Sequence, residues 1–99
     1  MFGSMARMYA LPGRRDEVVE TYERHFRDLE HVPGLIAFYL YRLDEDPDGL
    51  GLSVVFDSRS SYVANSTSPA QNARYAEVRA LLREDPVWAD GDVETFMRF

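Results

Sequence analysis

Leu35-Ile36-Ala37-Phe38-Tyr39-Leu40-Tyr41-Arg42-Leu43 is the stretch that decides the fold. Its β-branched and aromatic residues favour a strand. Both parities of the alternation are apolar, so a sheet built on it has two faces to hide. Asp44-Glu45-Asp46-Pro47-Asp48-Gly49 follows as a turn. Leu50-Gly51-Leu52-Ser53-Val54-Val55-Phe56-Asp57 then returns as a partner strand, and the two make a hairpin.

Upstream, residues 2–12 read as a strand ended by Pro12-Gly13. Residues 14–31 read as a helix, with Asp16 and Glu17 in the first turn, where the helix dipole favours negative charge. Val18, Val19, Tyr22, Phe26 and Leu29 form its apolar stripe, and Pro33-Gly34 stops it. Downstream, Asp57 or Ser58 caps a short helix running through Tyr62 to about Asn65. Ser68-Pro69-Ala70-Gln71 combines an N-cap serine, a proline at the first helical position and a glutamine at the capping-box position, and predicts a helix to about Arg83. Asp85-Pro86 ends that helix, Asp90-Gly91 is expected to turn, and residues 92–98 are expected to form the last strand. The order β-α-β-β-α-β, with a broken second helix, predicts an α+β, ferredoxin-like fold with an antiparallel sheet, as a single domain over residues 1–99. Helices cover one sheet face. The other apolar face predicts a symmetric homodimer.

Composition removes several chemistries. There is no cysteine, hence no disulfide, thiolate nucleophile or zinc–thiolate site. All eleven basic residues are arginine, so no lysine is present to form a Schiff base. A net charge of −6 without a basic cluster disfavours nucleic acid. No apolar run reaches membrane-spanning length and no secretory pattern opens the chain, so a cytoplasmic protein with no membrane partner is expected. His25 and His31 lack the i, i+4 spacing of two metal ligands on one helix face. The acidic turn begins like a calcium loop but carries Val55 where the bidentate Glu would stand, so no metal is expected. Six Tyr, six Phe and one Trp exceed what a small core needs, and rings often line ligand pockets.

Candidate site residues are polar groups on helix faces that are otherwise buried. Arg74 and Tyr75 precede Val78 by four and three positions on a face completed by Leu81 and Leu82. A guanidinium there could hold an anionic substrate; alternatively it snorkels to the edge and pairs with an acid. Asn65 shares a face with Tyr62 and suits either a substrate carbonyl or a helix C-terminus. His25 lies beside the stripe of the first helix and is the better general-base candidate, or else a partly buried structural histidine. His31 reads as structural. Trp88 closes a pocket or anchors an interface. Tyr39 and Tyr41 share a parity and line either the pocket or the dimer face. Tyr22, Tyr39, Tyr62 and Trp88 are the rings expected to hold a small aromatic molecule.

Over nearly its whole length the chain resembles the antibiotic biosynthesis monooxygenase family of the dimeric α+β barrel superfamily. The resemblance rests on His25-Phe26, Val32-Pro33-Gly34-Leu35, Phe56-Asp57-Ser58 leading to Tyr62, Ser68-Pro69, and Pro86-Val87-Trp88 before Gly91. It implies a small dimer with a pocket between helices and sheet. It also implies oxidation of an aromatic or polyketide-type molecule by O2 without metal or flavin, hence no cofactor. The haem-degrading branch carries a Trp and a haem-ligating His at positions that here hold Asn65 and Tyr75, and many other relatives place a His where Asn65 stands. A non-catalytic binding protein, or an isomerase or cyclase using the same pocket, remains the alternative.

Overall fold

The hairpin forms one half of a four-stranded antiparallel sheet. The computed structural model describes residues 1–29 and 31–99. In chain order the elements are β1 (Phe2–Tyr9), α1 (Arg15–Asp28), β2 (Leu35–Arg42), β3 (Gly49–Phe56), α2 (Arg59–Ser66), α3 (Pro69–Arg79) and β4 (Val87–Asp92). The strand order is β2-β3-β1-β4. This is the expected α+β, ferredoxin-like arrangement, with the second helix broken into α2 and α3.

Alternation sorts each strand. Phe2, Ser4, Ala6 and Met8 of β1 are buried, as are Leu50, Leu52 and Phe56 of β3. With Val18 of α1, Val78 of α3 and Leu82 beyond it, several of these form the core on the helix side. The other parity is open: Met5 is 58% and Tyr39 59% exposed. A bulge at Ile36 interrupts β2, because Leu35 pairs with Phe56 and Ala37 with Val55. The extra residue lets both Leu35 and Phe38 point to the helix side despite their opposite parities.

Helix α1 carries Asp16 and Glu17 in its first turn as anticipated. Its Arg15 reaches the acidic turn between β2 and β3, where one guanidinium nitrogen donates to the carbonyls of Asp46 (2.9 Å), Leu43 (3.2 Å) and Gly49 (3.3 Å). The turn that resembles a calcium loop is thus stapled by a side-chain cation. Helix α1 stops at Asp28, with Leu29 extended; position 30, within the longer helix expected, lies outside the described residues. Gly34 adopts φ +78°, and a Cβ there would meet Ser61 at 2.5 Å, so the turn into β2 requires glycine.

Two boundaries differ from expectation. Helix α3 ends at Arg79 rather than near Arg83, because the following backbone bonds to the end of β1: Leu11 N–H donates to Leu81 and Arg83 N–H to Tyr9. The last strand is Val87–Asp92 rather than 92–98, and Asp90-Gly91 lies inside it rather than at a turn. The outer edge of β1 offers a row of backbone groups that β4 satisfies, from Arg7 opposite Val87 to Phe2 opposite Asp92. That ladder outweighs the turn preference of an Asp-Gly pair.

Candidate functional site

Between the covered sheet face and the three helices lies a cavity of about 440 Å³. Tyr22, His25, Phe26 and Leu29 of the α1 side form one wall, and Leu35, Phe38, Leu52, Val54 and Phe56 form the floor. Tyr62 and Asn65 come from α2, Gln71, Asn72, Arg74, Tyr75 and Val78 from α3, and Trp88 and Asp90 from β4.

The rings fall into two groups. Phe38 packs on Phe26 at 4.3 Å and on Tyr22 at 5.5 Å between centroids. Tyr62 packs on Phe2 at 5.0 Å and edge-on to Phe56 at 5.7 Å. Such packing fixes apolar walls of defined shape. Burial, with a lesser contribution from Tyr75, pushes the Tyr22 phenol well above its ordinary range. Tyr75 is raised by burial and by Asp85, against an opposing effect of Arg79. Both phenols therefore stay protonated at neutral pH and act as donors rather than bases.

The polar wall is built at the start of α3. Ser68 caps the helix by accepting from Gln71 N–H at 3.1 Å. The return half of the capping box is not made, since the Ser68 N–H already donates to the Asn65 carbonyl at 3.0 Å. The freed Gln71 side chain instead accepts from Arg74, with its Oε1 3.0 Å from Nη2 and 3.3 Å from Nε. Among the described residues no carboxylate lies within 4.0 Å of Arg74. A half-buried guanidinium held by a neutral amide keeps its charge available to a ligand anion.

His25 is 8% exposed, deeper than its expected place beside the stripe. Its Nε2 is buried without a hydrogen bond and stands 3.5 Å from Glu77 Oε1 on α3, too far for a good one. Glu77 also accepts from Arg24 at 2.6 Å, and Arg24 foremost, then His25, holds its carboxyl below the usual range. The imidazole thus links the cavity wall to a half-exposed acid.

Of the residues anticipated from sequence, His25, Asn65, Arg74, Tyr75, Tyr22, Tyr62 and Trp88 converge on this cavity. Tyr39 does not: it pairs with Ser53 and, together with Tyr41, stands on the opposite, open sheet face. Asp90 was missed because an Asp-Gly pair reads locally as a turn. The signal that finds it is the i, i+2 repeat of Trp88 and Asp90 after Pro86, a strand face with its polar residue turned inward. Among the described residues no group of three or more His, Asp or Glu is placed to hold a metal ion.

The profile of the antibiotic biosynthesis monooxygenase family matches residues 1–77. The chain belongs to that family. Solved structures agree on the fold. A protein described as an antibiotic biosynthesis monooxygenase is 17% identical with a TM-score of 0.79, over 96% of this chain and all of that one. A mutant of SnoaB, a cofactor-independent oxygenase from Streptomyces nogalater, is 12% identical with a TM-score of 0.79, over 97% and 96% of the two chains. A protein of unknown function from Nitrosomonas europaea is 15% identical with a TM-score of 0.81, over 98% and 92%. No curated protein matches the sequence. Proteins with and without a known reaction thus share this scaffold, and the reaction must be argued from the cavity.

Proposed function

We propose that this chain, as one domain, is a cofactor-free monooxygenase of an aromatic or polyketide-type small molecule. The observation that carries the reading is Arg74, a guanidinium without an acid partner among the described residues, on the wall of a ring-lined cavity in a chain of this family. O2 reacts with an electron-rich anion, so the substrate must first lose a phenolic or enolic proton. His25 takes that proton, and Glu77 beside it stabilises the imidazolium. Arg74 and the Asn65 amide hold the oxyanion, while Tyr75 donates a hydrogen bond to it. A ring CH2 then becomes C=O. One atom of O2 enters the product, the other leaves as water, and the substrate supplies all the electrons.

The open sheet face supports a homodimer in this reading. Met5, Ile36, Tyr39, Tyr41 and Val87 are all exposed there or at its edge. Full burial of such a side chain contributes about 1.5–3 kcal/mol; because these are about half exposed, covering each contributes roughly half of that, a sum over two subunits comparable with the cost of association.

Oxygen uptake with an anthrone-type ring ketone tests the activity. Uptake should match product formation one to one and stop under nitrogen; turnover that continues without O2 overturns the oxygenase. A second reading, a dimeric binding protein without catalysis, is favoured by the orientation of His25, whose Nε2 is turned towards Glu77. It predicts ring binding with no O2 uptake.

A further inference from the structure

Strand β4 places Asp90 opposite Ser4 and Trp88 opposite Ala6, both on the helix side. Ser4 is 1% exposed, the one hydroxyl on a β1 face otherwise made of Phe2, Ala6 and Met8. Its Oγ donates to Asp90 Oδ1 at 2.5 Å. The carboxylate is thereby fixed in the cavity wall, where it is the only acid among the described residues. Among the described residues no arginine or histidine lies within 4.0 Å of it. Phe38 stands on β2 at the other edge of the sheet, three strand spacings or about 14 Å away.

A carboxylate offers about four acceptor sites, and Ser4 uses one. The others face water, since Asp90 is exposed. A ring system that fills the cavity from Phe38 to Trp88 strips that water away. It must return a hydrogen-bond donor or bear the desolvation of a charged group. Arg74 makes the opposite demand and accepts only an acceptor or an anion. We infer that Asp90, positioned by Ser4, is a specificity-determining residue: it selects aromatic ligands carrying a hydroxyl or amino donor at the end remote from Phe38. The inference rests on the cavity being the ring-binding site proposed above.

The chain has a single tryptophan, two residues from Asp90 on the same strand face, so its indole N–H resonance reports binding at this end. Titration with 2-naphthol and with 2-methoxynaphthalene compares one ring with and without the donor. The naphthol should bind the wild type at least about tenfold tighter than its ether. In Asp90→Ala the two should bind within about twofold, and Ser4→Ala should keep a reduced preference of about threefold. A tenfold preference that survives Asp90→Ala, or none in the wild type, overturns the role of Asp90 and leaves the ring site standing. Failure of both ligands to shift the Trp88 signal overturns the ring site and this inference with it. If Asp90→Ala does not fold, Asp90→Asn, which keeps the shape but loses the charge, should bring the preference to about threefold; an undiminished preference there overturns the inference equally.

Discussion

On the helix-covered face of the sheet, Ala6, Met8, Leu50 and Leu52 are buried; on the opposite face, Met5 of β1 and Tyr39 of β2 stay more than half exposed. The covered face is closed by side chains from three helices around a cavity. On the open face a ring lies directly on backbone: Tyr41 sits over Gly51, where a Cβ would come within 2.3 Å of it. The same alternation therefore yields two surfaces held by different means. The covered face is stabilised by burial within the chain and can spare volume for a ligand. The open face has rings placed flat and outward, a surface suited to a second copy in the dimer proposed above.

The largest expected effect tests whether the covered face carries the stability of the chain. Leu50 is fully buried, so Leu50→Ala should cost about 2–5 kcal/mol, lowering the thermal midpoint by about 8 °C or more at about 4–8 °C per kcal/mol. A midpoint within two degrees of the wild type, measured by calorimetry, would mean that burial on this face has been misjudged. Next comes the chemistry of the same face. Removing the guanidinium in Arg74→Ala should lower kcat/KM by about 100-fold, the usual loss of one oxyanion-stabilising group. A purely structural Arg74 would leave kcat/KM unchanged and lower only the midpoint.

The open face gives the third test. A charge placed in a symmetric apolar interface is buried twice, so Tyr39→Glu should weaken the dimer by at least about 100-fold. Sedimentation at micromolar concentration should then show a monomer with unchanged secondary structure. A wild type that is monomeric at millimolar concentration would leave the exposed rings without the partner proposed for them.

Legibility in the sequence followed this division between local and long-range causes. The hairpin, the α1 stripe and the Ser68 cap rest on neighbours in sequence, and each appears where its residues stand. Arg74 and Tyr75 could be turned inward from Val78 alone, because helical spacing is rigid. The position of β4 was not legible, since it depends on the edge of β1, far away in sequence, with Arg7 opposite Val87 and Phe2 opposite Asp92. With the strand misplaced, Asp90 was lost to the site. Tyr39 was undecidable for a related reason: both parities of β2 are apolar, and only the bulge at Ile36 and the pairing with β3 assign its face. Gln71 was read as a capping residue, and its turn to Arg74 required knowing that Asn65 already accepts from Ser68 N–H.

The smallest effect probes the covered face through its tyrosines. Burial raises the Tyr22 phenol above its ordinary value of 10.0. Below pH 10 the group is protonated whether the chain is folded or not, and its contribution does not change with pH. Above pH 10 the unfolded chain releases the proton while the folded chain retains it, so stability should fall with rising pH, by up to about 1.4 kcal/mol per unit until the folded group also ionises. The sequence makes this window unusually clean. Without lysine or cysteine, and with arginine protonated beyond pH 12, tyrosines are the side chains that titrate between pH 10 and 11.5. Tyr22→Phe should therefore match the wild type within about 1 kcal/mol at pH 8 and lose less stability by pH 11, read as a shallower fall of the urea midpoint. Tyr75→Phe should act in the same direction but less, since Tyr75 is shifted less and Arg79 opposes the rise. An identical alkaline slope in Tyr22→Phe and wild type would place that phenol in water, and with it the wall of the cavity that the covered face is said to enclose.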